Sequence, residues 1–175
     1  MPIDTSEEPW YIVARDGTLW PQSGPKGRDE LTSDLWGEFE HKLDDKGRVT
    51  IPAAWRPHLA EGFFLCPGIN GNCLFLLPKW RWTIIQETLS KVTYDDEKGM
   101  ALQRLFGAGN EAKLDGEGRV SISPKLRARA AIADEAVLCG GQDRIEIWNP
   151  QERRLYEEKE LNPQAVREKA RSKRL

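Results

Sequence analysis

Glu40 to Arg56 reads EHKLDDKGRVTIPAAWR, and Glu111 to Arg127 reads EAKLDGEGRVSISPKLR. The second stretch is the first displaced by 71 positions, with nine identities among seventeen and no gap. Glu, Lys, Leu, Asp, Gly, Arg, Val, Ile and Arg recur in the same order. Downstream the likeness weakens but persists. Phe64-Leu65-Cys66 answers to Val137-Leu138-Cys139, and Cys73 to Leu77 answers to Arg144 to Trp148. The chain therefore carries a duplicated unit of roughly 45–50 residues, two copies being too few for a solenoid.

Both copies have one grammar. In the first, Phe39 to Leu43 alternates as a strand, with Phe39, His41 and Leu43 on the face expected to be buried. Asp44-Asp45-Lys46-Gly47 has Asp first and Gly fourth, as a type I turn prefers. Val49 to Ile51 resumes the strand. Pro52 stops it and opens a short helix from Ala53 to Leu59. Strands Phe63 to Cys66 and Cys73 to Leu77 follow. The second copy predicts strands Ala112 to Leu114 and Val120 to Ile122 around the turn Asp115-Gly116-Glu117-Gly118. A helix Pro124 to Ala131 and strands Ala136 to Cys139 and Arg144 to Trp148 complete it. Each unit is β-turn-β-helix-β-β.

Helices fill the remainder. Trp80, Trp82, Ile84, Ile85, Leu89 and Val92 are spaced as one apolar face, broad enough to call for a second copy of the chain. Asp95 and Asp96 open a second helix, carrying Met100, Leu102, Leu105 and Phe106 and ending at Gly107. Pro150 starts a charged helix, and Pro163 separates a last helical segment. The expected organisation is an extension over 1–36, a first repeat over 37–78 and a helical connector over 79–109. A second repeat over 110–149 and a helical tail over 150–175 complete it. In the extension only Trp10 to Ala14 looks strand-like, and the segment is either flexible or docked through its tryptophans.

The chain has 175 residues, 31% of them charged, and a net charge of -2. No apolar run reaches the roughly 18–20 residues that span a bilayer. Met1 is followed by Pro2, Asp4, Glu7 and Glu8, the wrong chemistry for a signal peptide. A cytoplasmic protein is expected. Three scattered cysteines do not make a disulfide framework. Charge is unevenly spread: residues 1–36 net -4 and the rest +2, with five bases and one acid in 165–175.

Catalysis has no obvious seat. His41 is replaced by Ala112 in the other copy, which suits a structural histidine. Cys66 and Cys139 occupy matching strand positions and read as small buried hydrophobes. Cys66 and Cys73 lack a nearby histidine for zinc, and no phosphate-loop, G-x-S-x-G or H-E-x-x-H pattern occurs. No enzyme activity, cofactor, metal or small-molecule substrate is expected. What remains is the doubled D-x-x-G-R. A hairpin turn accounts for the Asp and the Gly, but it does not require Arg48 and Arg119. Each arginine can pair with the Asp four residues back, Asp44 or Asp115, which would fix its guanidinium. A fixed guanidinium can fork onto phosphate or onto guanine O6 and N7. Lys42, Lys46 and Arg56 stand near the first arginine, and Lys113, Lys125, Arg127 and Arg129 near the second.

These stretches, each in a β-β-α-β-β unit and separated by helices, resemble the MraZ family, the two-repeat member of the swapped-hairpin, AbrB-like superfamily. Its doubled D-x-x-x-R is matched by Asp44…Arg48 and Asp115…Arg119, and GQDRIEIWNP over 141–150 fits its style. The resemblance covers residues 36–160. It implies a mainly β fold with helices (α+β), the two repeats exchanging hairpins to form one pseudo-symmetric barrel. It also implies a transcriptional regulator that is nucleoid-associated and binds double-stranded DNA as a ring homo-oligomer. Its sites would be short direct repeats in the promoter of the division and cell-wall gene cluster. DNA contact is carried to Arg48 first and Arg119 second, with Lys46, Lys42, Asp44 and Asp115 completing the site. Two departures stand out: the extension before Gly37, and Glu117 where the first loop has Lys46. The alternatives are an AbrB-like antitoxin or transition-state regulator, whose segment Pro150 to Leu175 would hold a toxin, and an oligomeric scaffold without DNA binding.

Overall fold

The computed structural model describes residues 11–13, 19–21, 35–69 and 71–173. Ahead of the repeats, β1 (Tyr11–Val13) and β2 (Leu19–Pro21) form an antiparallel ribbon. The first repeat holds β3 (Glu38–Lys42), β4 (Arg48–Thr50), a 3₁₀ helix (Ala53–Leu59), β5 (Phe63–Pro67) and β6 (Cys73–Pro78). Helices α1 (Lys79–Leu89) and α2 (Glu97–Phe106) follow. The second repeat holds β7 (Asn110–Ala112), β8 (Arg119–Ser121), α3 (Pro124–Arg129), β9 (Glu135–Gly140) and β10 (Ile145–Trp148). Then come α4 (Pro150–Glu160) and α5 (Pro163–Lys173).

Neither repeat completes its own sheet. The six-stranded sheet runs β3-β9-β10-β6-β5-β7. Strand β3 of the first repeat lies on β9 of the second, with Phe39 opposite Leu138. Strand β7 of the second lies on β5 of the first, with Phe63 opposite Ala112. The repeats meet at β6–β10, where Trp148 faces Cys73. The inner strands of the two hairpins form a separate two-stranded ladder, Val49 opposite Val120. This exchange is what a unit too small to bury a core alone requires.

The sheet does not close into a barrel. Among the described residues β3 and β7 remain its edges. Each repeat leaves its edge strand through its Asp turn and reaches the separate β4–β8 pair, with the bridge Leu43–Val49 between the layers on the β3 side.

Both faces of the central strands are covered, so they read as continuous apolar runs rather than alternating ones. One face, with Leu65, Leu74, Leu76, Leu138, Ile145 and Ile147, packs on Val49, Ile51, Trp55, Val120, Ile122 and Leu126 from the hairpin layer. The other carries Phe64, Cys66, Phe75, Leu77, Val137 and Trp148 beneath Ile85, Phe106 and Tyr156 of the helices.

Four local expectations change. Phe39 is 40% exposed, because β3 is an edge strand; its ring meets Trp55 edge-on at 5.1 Å. The helix after Pro52 is 3₁₀: Pro57 inside it has no N–H to donate and Pro52 provides no side-chain cap. Its counterpart α3 is α-helical, with Ser123 accepting from Leu126 N–H. On α1 the buried residues are Arg81 and Ile85, and the helix ends before Val92. Arg81 is buried because Asp143, at 2.8 Å, pairs with it. In the extension, β2 is an element that periodicity did not reveal; Trp10 and Ala14 lie outside the described residues.

Candidate nucleic-acid interface

Each Asp does two jobs in its turn. One oxygen of Asp44 accepts the backbone N–H groups of Lys46 and Arg48, both at 3.0 Å. The other accepts Arg48 Nε at 2.7 Å. Asp115 repeats the pattern, with Glu117 N and Arg119 N at 2.9 Å and Arg119 Nε at 2.8 Å. The carboxylate thus folds the turn and sets the rotamer of the arginine that leaves it. Gly47 and Gly118 close the turns at φ +70° and +76°, where a side chain is strained.

The β4–β8 pairing brings the two turns together. Arg48 Nη1 lies 3.5 Å from Asp115, and Arg119 Nη1 lies 3.9 Å from Asp44. Backbone bonds lock the crossing: Ile51 N–H donates to Gly118 O at 2.9 Å, and Ile122 N–H to Gly47 O at 3.0 Å. Four of the six residues expected to bind DNA, Asp44, Arg48, Asp115 and Arg119, form one charge cluster. Lys46 is exposed on the first turn, and Lys42 is exposed on β3 opposite Glu135 of β9.

The loops differ in one charge. Glu117 holds Arg119 Nη1 at 2.5 Å, whereas the equivalent position in the first loop is Lys46. The Arg119 guanidinium is therefore engaged by three carboxylates and that of Arg48 by two. The arginine side chains are 26% and 21% exposed, Arg48 the more so.

Sequence reading gathered Arg56 and Arg127 as nearby bases but missed that they cross. Arg127 lies against Gly47 of the first turn, so a Cβ there would stand 2.8 Å from its Nε. Arg56 lies against Gly118 of the second turn. Arg56 Nε donates to Ile51 O at 2.9 Å. Arg127 Nε is buried and finds no hydrogen-bond partner among the described residues. The repeated arginine closing both seventeen-residue stretches was the available signal.

The backbone N–H and then the guanidinium of Arg119 hold the Asp115 carboxyl down at about 2, and those of Arg48 lower Asp44. A depressed carboxyl stabilises the fold fully above its ordinary pKa near 4, and loses that contribution as pH falls through the folded value. Acid is therefore expected to loosen the paired turns between about pH 4 and pH 2. Thermal melts across that range check this; Asp115→Asn should lower stability at neutral pH and flatten the acid limb.

Cys66, Cys73 and Cys139 are free and buried. Burial pushes all three thiols up, Cys139 to about 12. They stay protonated, which suits packing and not nucleophilic work. No described helix is long and apolar enough to cross a membrane.

Two tandem units that complete each other's sheet through exchanged hairpins define a pseudo-dimeric swapped-hairpin protein in one chain. The family model described as "MraZ protein, putative antitoxin-like" matches residues 35–104 and again 105–174. The chain belongs to the MraZ family. Both matches run through the helices that follow each set of strands. A Clostridium acetobutylicum protein named Transcriptional regulator MraZ is 36% identical over 134 residues, 76% of this chain and 94% of the relative. One of the same name from Pediococcus pentosaceus is 40% identical over 114 residues, 65% of this chain and 79% of its own. One from Deinococcus radiodurans is 38% identical over 117 residues, 66% and 82% of the two chains.

Proposed function

We propose that this protein is a cytoplasmic, nucleoid-associated transcriptional regulator that binds double-stranded DNA through the paired Asp44–Arg48 and Asp115–Arg119 turns. The observation that carries the reading is the twin arginine, fixed by carboxylate yet partly exposed, on two turns locked side by side. Arg48 is the group that reads bases: Asp44 fixes its guanidinium at Nε, and its looser 3.5 Å contact to Asp115 gives way when the outer N–H groups fork onto a base edge. Lys46 and Lys42 contact phosphate and set position. Arg119 contributes less, because Glu117 holds it and repels phosphate. Asp44 and Asp115 position both arginines. No catalysis, cofactor or small-molecule substrate enters this function.

Residues 37–175 carry a net charge of only +2, which gives one subunit little nonspecific affinity. A ring homo-oligomer on short direct repeats multiplies the contact through effective concentration. By family resemblance those repeats lie in the promoter of the division and cell-wall gene cluster. A gel shift with the DNA upstream of the protein's own gene, against a shuffled duplex, tests the reading. Preferential binding is expected, and equal affinity for both duplexes would overturn it. Light scattering should return an oligomer at micromolar concentration; a monomer would remove the ring.

The family description keeps a second reading in view, in which α4 and α5 hold a toxin. Neither helix has a fully buried residue, and Leu155, Leu161 and Val166 are exposed on and between them. Unchanged promoter binding in a Leu155→Ser, Val166→Ser variant would separate that surface from the DNA site.

A further inference from the structure

The family match begins at Leu35, so the β1–β2 ribbon lies outside the matched family unit. Its point of departure is fixed. Leu35 is 1% exposed in the main core. Its carbonyl accepts Gln142 N–H at 3.1 Å, and Gly37 O accepts Gly140 N–H at 2.8 Å. The extension therefore leaves the core beside the turn between β9 and β10. That turn is tied to α1, since Arg81 Nε meets Asp143 at 2.8 Å and Arg144 pairs with Asp143 and Glu146. Strand β2 lies against α1.

Helix α1 has two flanks beside its buried line of Arg81 and Ile85. Trp82 and Leu89 face α2 and β5, where the Trp82 ring stacks on Phe64 at 3.7 Å. Trp80, Ile84 and Thr88 recur at four-residue spacing and make the opposite row, each half-buried. The row is already partly covered, and strand β2 reaches the same helix. The two strands of the ribbon supply Tyr11, Ile12, Val13, Leu19, Trp20 and Pro21.

We propose that the N-terminal extension is an intramolecular strap whose β1–β2 ribbon seats on the Trp80–Ile84–Thr88 flank of α1. The occupant of that flank is thus this chain's own extension and not a second copy. Any contact between copies through α1 must use the Trp82–Leu89 side, or displace the strap first. The proposal stands whether or not the protein binds DNA.

Hydrogen–deuterium exchange on the full chain tests it. In the wild type, ribbon amides should be protected. An Ile12→Ser, Trp20→Ser double variant should raise exchange of α1 amides (79–89) on the order of 10-fold, local openings being read as exchange rates. The α2 amides should not change. From the other side, Ile84→Ser should release the ribbon amides while the β4–β8 amides keep their protection. Ribbon amides exchanging at unprotected rates in the wild type would overturn the strap. So would α1 exchange that ignores the double variant. Because the ribbon lies outside the family unit, the double variant remains decisive if Ile84→Ser lowers global stability.

Discussion

Arg48→Ala is expected to abolish detectable promoter binding while leaving the protein folded. A forked contact to a base edge is worth about 1–3 kcal/mol per site, and in a ring each subunit on DNA loses it at once. Arg119→Ala should weaken binding less. Its guanidinium is shared among Asp115, Glu117 and, at 3.9 Å, Asp44. Lys46→Ala should weaken all duplexes alike and reduce the salt dependence by about one counterion per loop, as loss of a phosphate contact does. Promoter affinity at two salt concentrations, with thermal melts alongside, distinguishes the three. Wild-type affinity in a folded Arg48→Ala protein would remove the first turn as the reading element.

Trp55→Ala should be the most damaging core truncation. Trp55 is 1% exposed, donates from Nε1 to Trp36 O at 3.3 Å and carries the Phe39 ring on its edge. Removing a buried tryptophan costs about 3–5 kcal/mol. A chain of this size loses about 2–4 °C of melting temperature per kcal/mol. The expected drop is on the order of 6–20 °C in a thermal melt. Leu126 holds the matching place in the second repeat and is 2% exposed. Leu126→Ala should cost about 2–5 kcal/mol. Because both residues sit in one core, either loss should melt the repeats together in a single transition. Two separate transitions would show that the exchanged hairpins do not join them.

The turns were legible because their chemistry is local. Asp, Gly and Arg lie within five residues, and the hydrogen bonds that each Asp carboxylate accepts stay inside that window. The exchange of hairpins was readable for a different reason: two identical grammars, each too small to bury a core, have one economical solution. Long-range pairings were not legible. Nothing within α1 says that Arg81 will be buried, since its partner Asp143 arrives 62 residues later from a different turn. Phe39 misled in the opposite direction. Alternation identifies a strand, but it does not say whether that strand will stand at an edge, where one neighbour is missing. Arg127 beneath Gly47 escaped for the same reason. The repeat marked the arginine as special, and only the crossing of β4 and β8 assigns it to the other loop.

The exchange of edge strands also governs how the protein is made. Strand β3 pairs with β9, so Glu38 waits for Cys139. At ribosomal speeds of about 5–20 residues per second, that partner emerges on the order of 5–20 s later. Through that interval the first repeat is a half-built sheet with β5 and β6 able to pair with each other and their outer edges open. Long-range strand pairing is slow for the same topological reason. A neighbouring nascent chain from the same message offers the same missing strands, and the helices α1 and α2 are the tether that makes the partner in the same chain the nearer one. Tandem duplication thus turns what would be an encounter between two molecules into the closure of one loop, at the cost of a vulnerable interval during synthesis.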